Sequence, residues 1–401
     1  MQLLISVRLV SAHENHHWTE TEVTTKVLQR PALRAALEGQ LTIADGQRRA
    51  AGAYPNPQIS YVREQTFGTT GTGEDYLSVA QTIDLGNRRA LASEAGAARV
   101  AVARHENEAV RIAIAAEARS RFFELLYRQD RTAACEAFIA RIDQALVTVK
   151  RRERSGDAAL YDRRRLERER AVAAAKAGVE RAALERAQAR LAALLDGSEQ
   201  VPSVTGALLP DNDPEPLAAL RSAALSRPDL RALDATAIAA SHSREVASRW
   251  WLPDLRLEGG WKGVSMRGAP RSDGFLVGAS LALPLWDQSS ALGHMAEGEA
   301  RAAAGHRALL ESELTGELAG ARAEAVQLRA AALSFRDHAA SAATDLTRIV
   351  SAGYEGGEQG LLELLDAYRG AADDALTALD MDQAARKARI ELDRMTGSGL
   401  P

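Results

Sequence analysis

The stretch PDLRLEGGWKGVSMRGAPRSDGFLVGASLALPL, residues 253–285, has the residue pattern of two β-strands joined by a polar turn. Apolar residues recur at alternate positions in both halves, at Leu255, Leu257 and Trp261, and then at Phe275, Val277, Leu281 and Leu283. Alternation over about ten residues is typical of a membrane β-strand, which shows one face to lipid and the other to water. An ordinary surface hairpin can have the same pattern, so this stretch alone leaves both interpretations open.

A weaker hairpin pattern occupies residues 57–85. Ile59 and Tyr61 begin an alternating strand, Arg63 interrupts it, and YLSVAQTI at 76–83 supplies the second strand. Pro57 and Pro253 stand at matching places, 196 positions apart (253 − 57). The placement of one hairpin in each half favours matched membrane hairpins over two unrelated surface hairpins.

The two halves also share phrases outside the hairpins. RPALRA at 30–35 precedes the first hairpin, and RPDLRA at 227–232 precedes the second. The recurrence of a similar phrase before each hairpin predicts an internally duplicated chain, in which each copy is one structural unit.

Long segments without proline follow each hairpin, between Pro57 and Pro202 and between Pro284 and Pro401. Because proline is strongly disfavoured inside helices, these segments predict long helices. We expect them at about 87–151 and 288–350, with shorter return helices at about 158–195 and 359–395. Phe138, Ile142, Leu146 and Val149 form an apolar stripe at helical spacing, which is typical of coiled-coil-like packing.

These patterns predict four segments along the chain. They are an N-terminal segment, disordered or reflecting a misassigned start, at 1–24; a first repeat at 25–196; a linker at 197–216; and a second repeat at 217–397.

Composition excludes several classes of protein. The net charge of −4 lacks the basic excess of a nucleic-acid-binding protein. No run of 18 apolar residues could form a transmembrane helix, and the N-terminus lacks the basic region of a signal peptide. The single cysteine, Cys135, excludes an intrachain disulfide, and we expect it to be buried as a small apolar residue.

Four strands are too few for a membrane barrel, because the smallest known barrels have about eight. An open four-stranded sheet in lipid would leave unpaired backbone groups at its edges, which is very costly. If the strands span a membrane, several chains must therefore share one barrel. The fold expected is mainly α, with long coiled-coil-like helices and a β-barrel portion.

The chain resembles the TolC-like outer-membrane efflux protein family over about residues 25–397. The phrases that carry the resemblance are YPNPQISY, SVAQTIDLGNRRALA, LPDLRLEGGW, VGASLALPLWD and YEGGEQGLLELLDAYR. Within them, QTIDLGNRR is most similar to the heavy-metal-efflux branch. The resemblance implies a homotrimer with a shared twelve-stranded barrel in the outer-membrane lipid and a helical tunnel in the periplasm. It also implies a periplasmic adaptor and an inner-membrane transporter as partners. Some members carry an acylated N-terminal Cys, and none is available here, so no lipid anchor is expected.

Each long helix is expected to end at a glycine-containing turn, at Gly156 in the first copy and at Gly357 in the second. Glycine tolerates the positive φ that a chain reversal needs. These turns are expected in any helical hairpin. The resemblance implies in addition that they form the tip of the tunnel and contact the adaptor.

The second turn is followed by Glu363 and Asp366, three residues apart and therefore on one helix face. In a trimer they would form an acidic ring at the tunnel mouth that favours cations, although an ordinary solvated helix face has the same pattern. The resemblance places Tyr354 opposite Asp162 in a contact that closes the tip. Gln359 stands where the family often has an arginine of this network.

Three histidines, His13, His16 and His17, have helical metal-ligand spacing near the N-terminus, where a tail that binds nothing is the alternative we favour. We therefore expect neither metal nor cofactor. No catalytic motif is visible, so an enzyme is not expected. The alternative function is a soluble coiled-coil scaffold, which explains the long helices but not the duplicated hairpins.

Overall fold

A computed structural model describes residues 17–69, 71–195 and 203–398, most of which are helical. This confirms the expected mainly α fold. The helices are α1 (Glu20–Leu28), α2 (Pro31–Gly52), α3 (Arg88–Ser155), α4 (Leu160–Leu194), α5 (Leu217–Leu225), α6 (Pro228–Ser248), α7 (Ser290–Phe335), α8 (Ser341–Gly356) and α9 (Leu361–Thr396). A π-helical segment, Arg336–Ala340, separates α7 from α8.

In the described part of the chain, six strands form two sheets: β1 (His17–Trp18), β2 (Gln58–Gln65), β3 (Thr72–Ile83), β4 (Ser203–Val204), β5 (Leu255–Met266) and β6 (Ser272–Leu281). Strands β1 and β4 pair in parallel. The other four form one antiparallel sheet in the order β2-β3-β5-β6. The two hairpins therefore join through β3 and β5, while β2 and β6 are the edges of this sheet within the chain.

The longest helix, α3, has 68 residues and is about 100 Å long at 1.5 Å per residue. Helix α7 continues through five glycines that lower its intrinsic helix propensity, namely Gly293, Gly298, Gly305, Gly316 and Gly320. Packing therefore outweighs propensity in this helix. Part of that packing is visible at Leu318 and Ala325, which lie in a cluster with Leu392 and Met395 of α9.

Within the N-terminal segment expected to be disordered, residues 17–24 form β1 and the first turns of α1. Residues 1–16 lie outside the described part of the chain. Thr19 and Glu22 form a capping box at the start of α1, with the Glu22 carboxylate accepting from the Thr19 amide at 2.9 Å. This cap satisfies amide groups that would otherwise lack partners. Helix α1 consequently begins at Glu20.

The linker forms an ordered strap, here residues 203–216. Arg386 of α9 donates to the backbone carbonyls of Ala207, Leu208 and Leu209 at 2.8–2.9 Å. Arg329 of α7 donates to two further strap carbonyls at 2.9 and 2.5 Å. Guanidinium groups carry several donors in a fixed geometry, so two side chains satisfy much of the strap backbone. The strap is thus tied to both α7 and α9.

The chain divides into two compact units that each draw on both halves of the sequence. The helical unit consists of Met1–Arg34, Ala109–Arg227 and Glu313–Pro401. The sheet-bearing unit consists of Ala35–Glu108 and Pro228–Ser312. The division into two sequential repeats remains a prediction, because each unit combines segments from both predicted repeats.

Apolar packing in the helical unit is concentrated in separate clusters along the helices. One surrounds Phe122 and Phe123 of α3, whose rings meet edge to face at 5.0 Å. No helix within residues 17–69, 71–195 and 203–398 has an apolar stretch long enough to cross a bilayer.

Candidate functional site: helix tips and sheet faces

Both helix tips turn at the predicted glycines. Gly156 follows α3 with φ of +87°, and Gly357 follows α8 with φ of +83°. At the first tip the Asp157 amide donates to the Arg152 carbonyl at 2.8 Å, and at the second the Glu358 amide donates to Gly353 at 2.9 Å. These bonds satisfy carbonyls at the helix ends, and the left-handed conformation explains why glycine occupies both positions.

Tyr354 is buried at the second tip, with only 6% of its surface exposed. Arg152 of α3 donates to the Tyr354 carbonyl at 2.9 Å and to the Glu355 carbonyl at 3.0 Å. The same guanidinium lies 4.9 Å from the centre of the Tyr354 ring. Burial raises the pKa of the Tyr354 hydroxyl, and the Arg152 charge opposes this shift. Arg152 therefore fastens the second tip to the first.

Asp162 and Gln359, the other predicted closing residues, have different surroundings. Asp162 lies half-buried in the first turn of α4, where its charge raises the pKa of Tyr354 further. Gln359 is exposed, and its side chain lies over Gly353. A Cβ added at Gly353 would come within 2.6 Å of the Gln359 side chain. The side chain that donates to the Tyr354 carbonyl and lies over its ring belongs to Arg152, a residue that the sequence analysis did not select.

An apolar cluster lies beneath the tips. It contains three of the predicted stripe residues, Ile142, Leu146 and Val149, as buried side chains, with Phe138 partly buried against it. The cluster also contains Ala145 of α3, Leu166 and Ala173 of α4, Tyr354 of α8, and Leu361, Leu364, Leu365 and Tyr368 of α9. The two tips therefore share one core, as the coiled-coil stripe predicts.

An ion pair between α4 and α9 lies beside this core. Arg369 donates to Glu169 at 2.8 Å through Nε and again through Nη2. Glu169 is buried, and the Arg369 guanidinium lowers the pKa of its carboxyl. Sequence reasoning missed this pair because its partners are 200 residues apart.

Glu363 and Asp366 are both exposed in the first two turns of α9. The residues between them, Leu364 and Leu365, are buried in the apolar cluster. The two carboxylates therefore lie on the solvent side of the helix, as their spacing predicts. Whether they form a ring remains a prediction.

The larger sheet has one apolar face that is exposed to solvent. Phe275 is 85% exposed, and Val277 and Ile59 are each 77% exposed. The strand register places Tyr61, Leu77, Trp261 and Phe275 in one row across all four strands. This row lies near the middle of the strands, and three more exposed aromatic residues, Tyr54, Trp251 and Trp286, lie just outside the strand ends that carry Gln58, Ile83, Leu255 and Leu281. The apolar band thus has aromatic residues at both ends.

Charged residues end this apolar band beside the aromatic row. Asp75 accepts from the Tyr61 hydroxyl at 2.8 Å and pairs with Arg63 and Arg271 at 3.4 Å each. Arg63, which interrupts the alternation in the sequence, therefore marks the boundary of the apolar band rather than a break in the strand.

The opposite face of the sheet is polar. Lys262 pairs with Glu74 at 2.7 Å, and the Ser78 hydroxyl donates to Glu258 at 2.5 Å. The two faces therefore differ in character as those of a membrane barrel do.

No group of three metal-ligating side chains occurs in the part of the chain that the structure describes. His17 pairs with the Ser203 hydroxyl at 2.8 Å, while His13 and His16 lie outside the described residues. Cys135 is half-buried rather than fully buried as expected, and burial raises the pKa of its thiol.

Comparisons with known proteins agree with this geometry. Residues 219–398 match the family described as outer membrane efflux protein. The nickel and cobalt resistance protein CnrC of Cupriavidus metallidurans is 28% identical over 281 residues, which cover 68% of this chain and 66% of CnrC. The chain therefore spans just under two thirds of that relative.

Two solved structures share the fold over almost their whole length. CusC superposes with a TM-score of 0.76 at 18% identity, covering 97% of this chain and 96% of CusC. The outer membrane protein VceC from Vibrio cholerae superposes with a TM-score of 0.73 at 17% identity, covering 95% of this chain and 97% of VceC.

Proposed function

We propose that the chain is a TolC-like outer-membrane efflux protein and the passive exit duct of a tripartite pump. One observation carries the proposal: the four-stranded sheet has an exposed apolar face and two edge strands, β2 and β6. Exposed apolar sheet edges promote association, and in lipid they must be paired. Further copies of the same sheet would satisfy both edges.

A trimer would supply twelve strands, since three copies contribute four each (3 × 4). Twelve lies within the range of known membrane barrels, whereas four does not. In that barrel the apolar face would contact outer-membrane lipid, with Tyr61, Trp261 and Phe275 at one end of the apolar band and Tyr54, Trp251 and Trp286 at the other. The polar face, including Lys262 and Glu258, would line the lumen. The helices would then form the periplasmic tunnel.

The family implies a periplasmic adaptor and an inner-membrane transporter as partners. The tips at Gly156 and Gly357 are the surfaces that we propose for the adaptor. The duct itself would carry out no chemistry, and opening would require the tips to separate. Arg152, with its two bonds across the tips, would oppose that separation together with Asp162 and Tyr354.

We propose metal cations as the cargo. The similarity to CnrC, a nickel and cobalt resistance protein, supports this class of cargo, as does the phrase QTIDLGNRR. Exposed Glu363 and Asp366 would add negative potential at the tunnel mouth and attract cations there. Gln359 leaves the closed tip without the arginine that the family often has.

The test is a disulfide scan between the two edge strands in a Cys135→Ser background. Ile59→Cys in β2 is combined in turn with cysteine at Phe275, Val277, Ala279 and Leu281 of β6. We expect at least one pair to give a covalent trimer by native mass spectrometry in mild detergent. The matched control is Ile59→Cys with Gly259→Cys, since β5 is an internal strand and cannot reach another copy.

The proposal fails if no pair in the scan cross-links and the protein is a monomer or dimer that does not depend on detergent. That result would favour the soluble coiled-coil scaffold. The scaffold accounts for the helices, but it gives no reason for an apolar sheet face with aromatic residues at both ends.

A further inference from the structure

A charged row crosses the apolar face of the larger sheet, two residues beyond Trp261 and its aromatic neighbours. The strand register aligns Arg63 of β2, Asp75 of β3 and Gly263 of β5 in this row. Arg271 reaches it from the turn between β5 and β6. Because alternate residues of a strand share a face, this row lies on the same side of the sheet as the apolar band. We call Arg63, Asp75 and Arg271 the rim.

Asp75 holds the two arginines of the rim together. Its side chain is only 12% exposed, and its two oxygens contact Arg63 Nη1 and Arg271 Nη2 at 3.4 Å each. The shorter bond to this carboxylate comes from the Tyr61 hydroxyl, at 2.8 Å. Direct bonds between guanidinium and carboxylate are usually about 2.7–2.9 Å long. Asp75 therefore brings two cations together without fully satisfying either of them.

The Arg271 guanidinium is also positioned by an aromatic ring and by a bare stretch of backbone. It lies 4.9 Å from the centre of the Trp261 ring. A Cβ added at Gly263 would come within 2.5 Å of both Arg271 Nη2 and the Trp261 ring. An alanine at this position would therefore move the guanidinium away from the ring. Groups that are held in place before a ligand arrives lose less entropy when it binds.

The charged groups around the rim leave this part of the sheet cationic. Asp273 of β6 contacts Nε of Arg271 at 3.6 Å, and Arg267 is exposed in the same turn. With the rim, these residues amount to three arginines against two aspartates, and the rim aspartate is enclosed. Glu64 and Glu74 alternate with the rim residues and therefore lie on the polar face.

The two arginines of the rim can accept a further anion as a partner. Their side chains are 55% and 51% exposed. Each guanidinium carries five N–H donors. Within the described residues, the hydrogen bonds of Arg63 go to two acceptors, Asp75 and Gln65. Donors therefore remain on a guanidinium that faces solvent.

The surroundings of the rim define the chemistry of that anion. On one side lies the apolar band, where Phe275 and Val277 are the most exposed side chains of β6. A ligand that contacts both surfaces must carry a negative charge next to long apolar chains. The planar fork of a guanidinium matches the oxygens of a phosphate group. Trp261 lies between the two surfaces, and indole rings are enriched at the level of lipid headgroups.

We propose that the rim binds the headgroup phosphate of a membrane lipid whose acyl chains lie along the apolar band. This inference rests on the proposed function, because it requires the sheet to stand in the outer membrane. The two hairpin turns lie at the strand ends opposite to those joined to α2, α3, α6 and α7. With the helices in the periplasm, the rim would face the outer leaflet, which is built from a phosphorylated, acylated glycolipid. That lipid is the occupant we assign.

Lipid binding can be measured by native mass spectrometry in mild detergent, with diphosphorylated lipid A as the probe. We expect the parent to retain lipid A and to retain phosphatidylcholine, which has no net charge, much less. Arg63→Gln combined with Arg271→Gln should weaken lipid A binding by roughly tenfold or more. The matched control is Arg256→Gln with Lys262→Gln, which removes the same charge from the polar face and should bind as the parent does.

Two further variants test the geometry of the rim. Gly263→Ala changes no charge, but it should weaken lipid A binding because it displaces Arg271. Asp273→Asn removes the exposed acid that competes for Arg271, so it should strengthen binding. If both variants bind lipid A as the parent does, the rim is not the site.

An excess of inorganic phosphate distinguishes a lipid site from a site for the free ion. We expect it to leave lipid A bound, because it cannot occupy the apolar band. Full displacement by phosphate would overturn the lipid assignment, as would equal binding of lipid A by the rim variant and its control. The same spectra report the mass of the assembly. A trimer whose lipid binding does not depend on the rim would therefore reject this site and leave the duct proposal intact.

Discussion

Arg152 fastens the two helix tips with a single guanidinium group. It donates to the carbonyls of Tyr354 and Glu355 and lies over the Tyr354 ring. Hydrogen bonds from a charged donor are stronger than neutral ones. The resemblance led to Asp162 as the partner of Tyr354, but the contact that forms in one chain comes from a neighbouring arginine.

Arg152→Met should loosen the closed tip. The substitution removes both hydrogen bonds while keeping much of the apolar stem, so we expect a loss of roughly 1–3 kcal/mol in local stability. Single-channel conductance in a planar bilayer should rise. Arg154→Met is the matched control, because Arg154 is exposed on the same tip. Equal conductance in the Arg152→Met and Arg154→Met variants would show that Arg152 does not hold the tip closed.

The exposed acids of α9 should set ion preference. Glu363→Gln combined with Asp366→Asn removes two charges per chain without changing side-chain shape, and we expect weaker cation selectivity as a shift of the reversal potential toward zero. Asp373→Asn with Asp374→Asn makes the same charge change about two turns further along α9. If both double variants shift the reversal potential equally, Glu363 and Asp366 contribute no more to cation selectivity than other acids of α9.

Helices and strands were largely predictable from periodicity and from the positions of proline. The segments without proline contain α3, α4, α7, α8 and α9, and the alternating stretches became β2, β3, β5 and β6. Two features were not predictable for physical reasons. The order of the strap depends on arginines more than 100 residues away, such as Arg386 and Arg329. The π-helical segment has the composition of an ordinary helix, so nothing in its sequence distinguishes it from α7 and α8, and it packs against α9.

The two faces of β2 should respond differently to the same charge. Ile59→Arg places a cation on the apolar face, where lipid contact would cost about 2–4 kcal/mol near the bilayer centre. Ser60→Arg places it on the polar face; Ser60 pairs in register with Ser78, which bonds Glu258. We expect the first variant to lose heat-resistant assembly in detergent and the second to keep it. Equal assembly of both would mean that this face does not meet lipid.

The chain carries two kinds of surface that the proposed function would use. One is the apolar sheet face with its edges, and the other is the pair of tips that present carboxylates and glycine turns. Within the described residues, no group of three metal-ligating side chains occurs on either surface. Under the proposed function, choice of substrate would depend on the transporter, and the duct would supply passage and electrostatic preference.

Loss of the chain from its native host should therefore lower tolerance to the metals that its pump exports. The similarity to CnrC leads us to expect lower minimum inhibitory concentrations of nickel and cobalt, with the parent gene restoring both. Ile59→Arg should fail to restore tolerance because it cannot assemble, whereas Ser60→Arg should restore it. The competing cargo is an organic compound. Unchanged metal tolerance with new sensitivity to organic compounds would reject the metal assignment while keeping the duct, because both cargoes need the same assembled passage.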